Sequence, residues 1–175
     1  PDFLRAAARQ AAAERGVDGH VITLSRSLVV PFLTFSERRD LREQAWRAWV
    51  GRGEHAGAHD NREVARAILR LRQEQARLHG HACYADFALA DTMAQSSAAV
   101  RMLLDQVWTP ARSRMGLERA SLQAIAERED PGTVVEAWDW RYYAEKVRQA
   151  EFALDDATLK PYFSLDRMVE AAFDC

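Results

Sequence analysis

Along most of the chain apolar residues return every three or four positions, the spacing of helices that bury one face. Residues 2 to 14, rich in Ala and Arg, predict a short helix ended at Gly16. Ser36 stands where an N-cap belongs, ahead of Leu41, Ala45, Trp46 and Trp49, so another helix is expected up to Gly51 and Gly53. The glycine-rich stretch from Gly51 to Ala58 reads as a loop. Asp60 and Glu63 make a capping-box-like start for a helix whose face is Val64, Ile68, Leu71, Gln75 and Leu78 and which ends near Gly80. A shorter helix over residues 83 to 94 follows, with Tyr84, Phe87, Ala88 and Met93 partly apolar.

The longest helix is expected to start at Ser96 or Ser97 and to run to Glu129. Val100, Leu103, Leu104, Val107, Trp108, Ala111, Met115, Leu122 and Ile125 keep helical register along it, and Pro110 predicts a kink near Thr109 because proline loses a hydrogen bond and clashes with the preceding turn. Asp130-Pro131-Gly132 reads as a loop, Asp139 as the cap of a helix from Trp140 to Leu154, and Ser164 as the start of the last helix. One stretch has β character. His20 to Leu24 suits a short strand, and Leu28 to Leu33, with Pro31 inside, suits an edge strand or extended segment. The expected fold class is therefore all-α, with at most one short β-hairpin or extended pair near 20–33, as a single helical segment over 1–175. No repeat of fixed period is evident.

With 48% hydrophobic and 29% charged residues among 175, the chain has ordinary globular chemistry and enough length for a hydrophobic core. Its basic residues are almost all arginine, Lys146 and Lys160 being the only lysines, and the net charge is -2. Nucleic acid is not implied as a partner. No apolar run is long enough for a membrane span, and Cys83 and Cys175 are too few for a disulfide framework, which points to a reducing, cytoplasmic setting. Pro1 is not an initiator residue, and the stripe Leu165, Met168, Val169, Ala172 and Phe173 stops abruptly at Cys175. Further polypeptide on both sides is expected, as is self-association through apolar faces left uncovered.

The residues that could carry chemistry are few. His55 and His59 have the i, i+4 spacing of an H-E-x-x-H zinc motif, but Ala56-Gly57-Ala58 lies between them, without the glutamate, in a stretch too glycine-rich for the helix that motif needs. His79, His81 and Cys83 lack a second such pair to close a four-ligand site, and Cys83 reads as a buried structural thiol. No metal ligand and no catalytic residue is assigned. The aromatic and charged stretch from Trp138 to Val147 is the exception, since aromatics with polar tips suit ligand-facing walls.

That stretch, Trp138-Asp-Trp-Arg-Tyr-Tyr-Ala-Glu-Lys146, together with Leu159-Lys-Pro-Tyr-Phe163, resembles the thimet oligopeptidase family of zinc metallopeptidases, and most closely its bacterial peptidyl-dipeptidases. Phe35-Ser-Glu-Arg-Arg-Asp-Leu-Arg42, Trp46-Arg-Ala-Trp49, Gly51 to Arg62 and Ala88-Leu-Ala-Asp-Thr-Met93 resemble the same family in the same order, over nearly the whole chain. The resemblance implies a large, helical, two-lobed enzyme with a channel between the lobes. It also implies a zinc ion held by an H-E-x-x-H helix and a downstream glutamate, all C-terminal to the matched region. Carried over, it makes the 175 residues a non-catalytic helical portion, inactive alone, of an enzyme that releases dipeptides from the C-terminus of short peptides. Zinc belongs to the parent enzyme, and the partners are short peptides and the remainder of the same polypeptide. Trp138, Arg141, Tyr142 and Tyr143 are the channel-wall candidates. An oligopeptidase with internal cleavage, or a stand-alone helical interaction module, are the alternatives.

Overall fold

The computed structural model describes residues 1–153, 159 and 162–174. Among them the order of elements is α1 (Asp2–Ala13), α2 (Arg26–Phe35), α3 (Arg39–Val50), α4 (Arg62–Leu78), α5 (Tyr84–Leu89), α6 (Ser97–Glu129), α7 (Trp140–Phe152) and α8 (Leu165–Phe173), with no strand. The chain is all-α, as its periodicity implied. It divides into two units, one formed by Pro1–Trp46 and Ser121–Cys175, the other by Arg47–Ala120.

Of the segment given β character, the second half is helical and the first is neither helix nor strand. Residues 28 to 33 lie inside α2, and residues 20 to 23 form no strand. β-Branched Val29 and Val30 and the interior Pro31 argue locally against a helix. Burial overrides them: Leu28, Val29 and Leu33 fall on one helical face, and Val29 and Leu33 are fully buried. Burying a side chain of that size is worth about 1.5–3 kcal/mol, more than the propensity deficit of a valine. Pro31 occupies the sixth position of α2, so the carbonyl of Ser27 loses its helical donor, and Thr34 Oγ1 donates to Val30 O at 2.9 Å one turn later.

Two apolar clusters hold the first unit. Leu4, Ala11 and Leu28, flanked by Val21, Ile22, Phe32 and Phe35, join α1 to α2. The chain can return because Gly16 takes φ +63° after α1 and Val17 N–H donates to Ala12 O at 3.1 Å, which stops the helix and turns the backbone. Leu122, Ile125 and Ala126 at the end of α6 pack with Val135 and with Tyr143 of α7 in the second cluster.

Several boundaries differ from expectation. Ser36 is the C-cap residue of α2, not the N-cap of α3, which starts at Arg39. Asp60 and Glu63 do not form a capping box: Asp60 Oδ1 accepts the Arg62 N–H at 3.0 Å, while Glu63 pairs with Arg66. α5 is only six residues long, and α7 is described to Phe152, the expected end at Leu154 lying outside the described residues. α6 is one continuous helix of 33 residues with Pro110 inside it.

The second unit has almost no interior. Ala76 is its only buried residue, and α4 exposes Val64, Ile68, Leu69 and Leu71. α4 ends against α5, with His81 N–H donating to Ala76 O at 2.9 Å and Gln73 Nε2 to Ala82 O at 2.9 Å.

Candidate functional site

The densest polar arrangement lies in the first unit, where the start of α3 meets the turn before α7. The expected apolar stripe of α3 contained Leu41, yet Leu41 is exposed and its neighbour Arg42 is buried. The helix is rotated one residue from that reading, so a guanidinium sits on the inner face with Trp46 one turn on.

Arg42 is buried because Asp139 is buried opposite it, with no exposed surface. Arg42 Nη2 donates to Asp139 Oδ1 at 2.7 Å, and Nη1 donates to Ser36 O at 2.6 Å, using the carbonyl that closes α2. From the solvent side Arg39 Nη2 reaches Oδ2 at 2.8 Å and Nε donates to the same oxygen at 3.0 Å. The Glu136 N–H adds a bond to Oδ2 at 3.2 Å. The carboxylate thus takes two arginines and a backbone amide. Burial alone would raise its pKa, but the bonds from Arg39 and Arg42 outweigh it and hold the group below the usual carboxylate value. Asp139 occupies the N-cap position of α7 without capping it, because both oxygens are taken by these donors.

Aromatic rings surround this knot. The Arg42 guanidinium lies 4.1 Å from the centroid of Tyr142, and Lys146 Nζ lies 4.7 Å from the same ring. Lys146 also grips Glu129 at 2.7 and 2.8 Å, tying α7 to the end of α6. Tyr142 meets Tyr143 edge to face with centroids 5.2 Å apart, and Trp138 meets Trp46 in the same way at 5.8 Å.

Three of the four channel-wall candidates are therefore brought together. Trp138 and Tyr142 are half-buried, one turn apart, on either side of the Asp139 knot. Tyr143 is buried in the α6–α7 cluster, and burial raises its phenol pKa. Arg141 is exposed. Of these four only Arg141 is exposed, while Trp138 and Tyr142 are partly exposed. The sequence reading missed Arg39, Arg42 and Asp139 as a set. One signal was available: Asp139 has no arginine or lysine three or four residues away on either side, so a counter-charge had to come from elsewhere in the chain.

The histidines form no metal centre. His55 and His59 lie in turns and bends between Gly51 and Asp60, closed by Asn61 N–H to Gly53 O at 2.7 Å. His79 follows α4 and stacks on Phe87 at 4.7 Å, and His81 meets the same ring at 5.6 Å. Cys83 is half-buried rather than buried, and its S–H donates to Asp86 Oδ2 at 3.2 Å. Ser97 donates to the other oxygen of Asp86, and these two bonds lower the pKa of that carboxyl. Among the described residues no group of three or more His, Cys, Asp or Glu side chains is placed to hold a metal ion. The donors present thus do not fit the zinc ion that the resemblance implies. No helix of the described residues is long and apolar enough to cross a membrane.

Residues 32–174 match the model of peptidase family M3. The chain is 37% identical to a dipeptidyl carboxypeptidase of Salmonella typhimurium over 164 residues, 93% of this chain and 24% of that protein. It is 36% identical to the dipeptidyl carboxypeptidase of Escherichia coli, over 94% of this chain and 24% of that protein. Oligopeptidase A of Haemophilus influenzae is 34% identical over 99% of this chain and 26% of its own length. The chain spans about a quarter of the length of the curated relatives it matches.

Proposed function

The chain belongs to peptidase family M3, and from that premise we propose that it is a helical, non-catalytic portion of a zinc-dependent peptidyl-dipeptidase acting on the free C-terminus of short peptides. The observation that carries the reading is the match to two dipeptidyl carboxypeptidases across nearly all of this chain but only 24% of each of those proteins. Supporting it, the 175 residues contain no H-E-x-x-H sequence. The zinc and the general base then come from polypeptide outside residues 1–175, and the chain alone does not hydrolyse peptides.

Within that enzyme the contribution of these residues is positioning. The buried Arg42–Asp139 pair fixes the start of α7 against α3, and α7 carries Arg141 and Tyr142. An exposed guanidinium on the helix that carries Tyr142 suits a peptide with a terminal carboxylate, which takes a planar, bidentate donor well. A cytoplasmic setting fits the low cysteine count.

Internal cleavage, as in an oligopeptidase, is the second reading, favoured by the 34% identity to oligopeptidase A over 99% of this chain. A polypeptide of the relatives' length containing this sequence separates the two. Given one short peptide with a free C-terminus and the same peptide amidated, it should release dipeptides from the first and leave the second intact. Equal internal cleavage of both would overturn the dipeptidase reading.

A further inference from the structure

The two ends of α6 are treated differently by their surroundings. Leu122, Ile125 and Ala126 are buried, while every residue from 101 to 121 is exposed. Yet Leu104, Val107 and Trp108 precede those three by 18 residues each (122 − 104, 125 − 107, 126 − 108), about five whole turns at 3.6 residues per turn. They lie at the same azimuth of the helix. The face that is covered at one end is therefore bare at the other, where Leu104, Val107 and Trp108 are 59–63% exposed. Glu118 interrupts the stripe and is paired with Arg114 at 3.3 Å, so its charge does not stand unopposed there.

We propose that this face of α6, centred on Leu104, Val107 and Trp108, is a docking surface for the part of the peptidase polypeptide that lies outside residues 1–175. The inference rests on the reading under Proposed function and names the surface through which this portion joins the rest. Three observations favour that occupant over a second copy of the chain. The relatives are about four times longer, so most of the protein that could cover the face is absent here. The second unit has one buried residue, Ala76, far less burial than a unit of that size ordinarily has. Uncovered apolar residues occur on several helices, including Ile68 of α4 and Phe173 of α8, whereas one two-fold contact would cover a single patch.

Thiol labelling tests the surface. In a background carrying Cys83→Ser and Cys175→Ser, Leu104→Cys places a thiol on the stripe and Ser113→Cys places one about half a turn away on the opposite face. In the 175-residue chain both thiols should react with a maleimide at similar rates. In a polypeptide of the relatives' length the thiol at 104 should react on the order of 100-fold more slowly, as expected for a packed site that must open to react. The thiol at 113 should stay fast in both. Equal rates at 104 in the two polypeptides would overturn the proposal, and so would protection in the 175-residue chain that grows with its concentration, which would assign the face to a second copy. If Leu104→Cys prevents folding, hydrogen exchange of the unsubstituted chains decides: α6 amides slowed in the longer polypeptide support the proposal, and unchanged exchange overturns it. Protection at 104 without peptide hydrolysis would defeat the functional reading and leave this one standing; hydrolysis without protection would do the reverse.

Discussion

Asp139→Ala removes the carboxylate that faces the buried Arg42, and its cost follows from how little water can reach that guanidinium. The Arg42 side chain is 2% exposed, so it cannot exchange Asp139 for solvent. Its bond to Ser36 O and the Tyr142 ring remain, but neither supplies a counter-charge. Breaking a buried pair by removing one partner costs about 3–5 kcal/mol. Arg39 adds little, because its side chain is 45% exposed and an exposed pair is worth about 1 kcal/mol at most. In a chain of this size the loss corresponds to a fall in Tm of roughly 6–20 °C. Urea titration followed by far-UV ellipticity measures it. The double variant Arg42→Met/Asp139→Ala takes the orphaned charge away as well and should be more stable than Asp139→Ala alone, since an apolar replacement of a buried pair is often neutral or better. A loss below about 1 kcal/mol for Asp139→Ala, or a double variant less stable than that single one, would refute the account of this knot.

The same carboxylate sets a pH dependence. Its folded pKa is lowered, so its stabilisation is complete above the unfolded value near 4 and is lost as pH falls through the lower folded value. Stability measured from about pH 5 down to pH 2 should therefore fall more steeply in the parent chain than in Asp139→Asn. Two glycines should respond oppositely to alanine. Gly53 has φ +78° and a Cβ there would stand 2.9 Å from Asn61 Nδ2, so Gly53→Ala should destabilise by about 1 kcal/mol or more. Gly116 is helical with open space around it, so Gly116→Ala should stabilise by about 0.5–1 kcal/mol, both read from urea midpoints. In a polypeptide of the relatives' length, Arg141→Ala should raise KM for a peptide with a free C-terminus roughly tenfold with kcat little changed, and steady-state rates would show it.

Helices with strong apolar periodicity were legible from sequence, and the reasons the others were not are physical. α4 reads correctly because its apolar residues repeat at 3.6 positions whether or not anything covers them, and α6 reads correctly between its Ser97 start and the Asp130-Pro131-Gly132 loop although Met102 and Leu117 lie off its stripe. α2 was misread because Val29, Val30 and Pro31 speak locally for an extended chain, and the burial of Val29 and Leu33 that makes it helical is a tertiary effect. α3 was placed correctly but rotated, since no rule of hydrophobic pattern puts an arginine inward. The partner that makes Arg42 an inner residue is 97 positions away at Asp139. Trp138, Tyr142 and Tyr143 are legible in the sequence as a local cluster of aromatics beside Arg141. The arginine–aspartate knot that holds them is not, because single-sequence reading sees charge pairs only at helical spacing.

The proposed function makes these residues a non-catalytic portion of a longer metallopeptidase. Its most direct test is dipeptide release from a short peptide with a free C-terminus, measured for the purified 175-residue chain and for a polypeptide of the relatives' length, each with and without a chelator. The account predicts release by the longer polypeptide alone, abolished by the chelator and restored by zinc. Chelator-sensitive release by the 175-residue chain would contradict it.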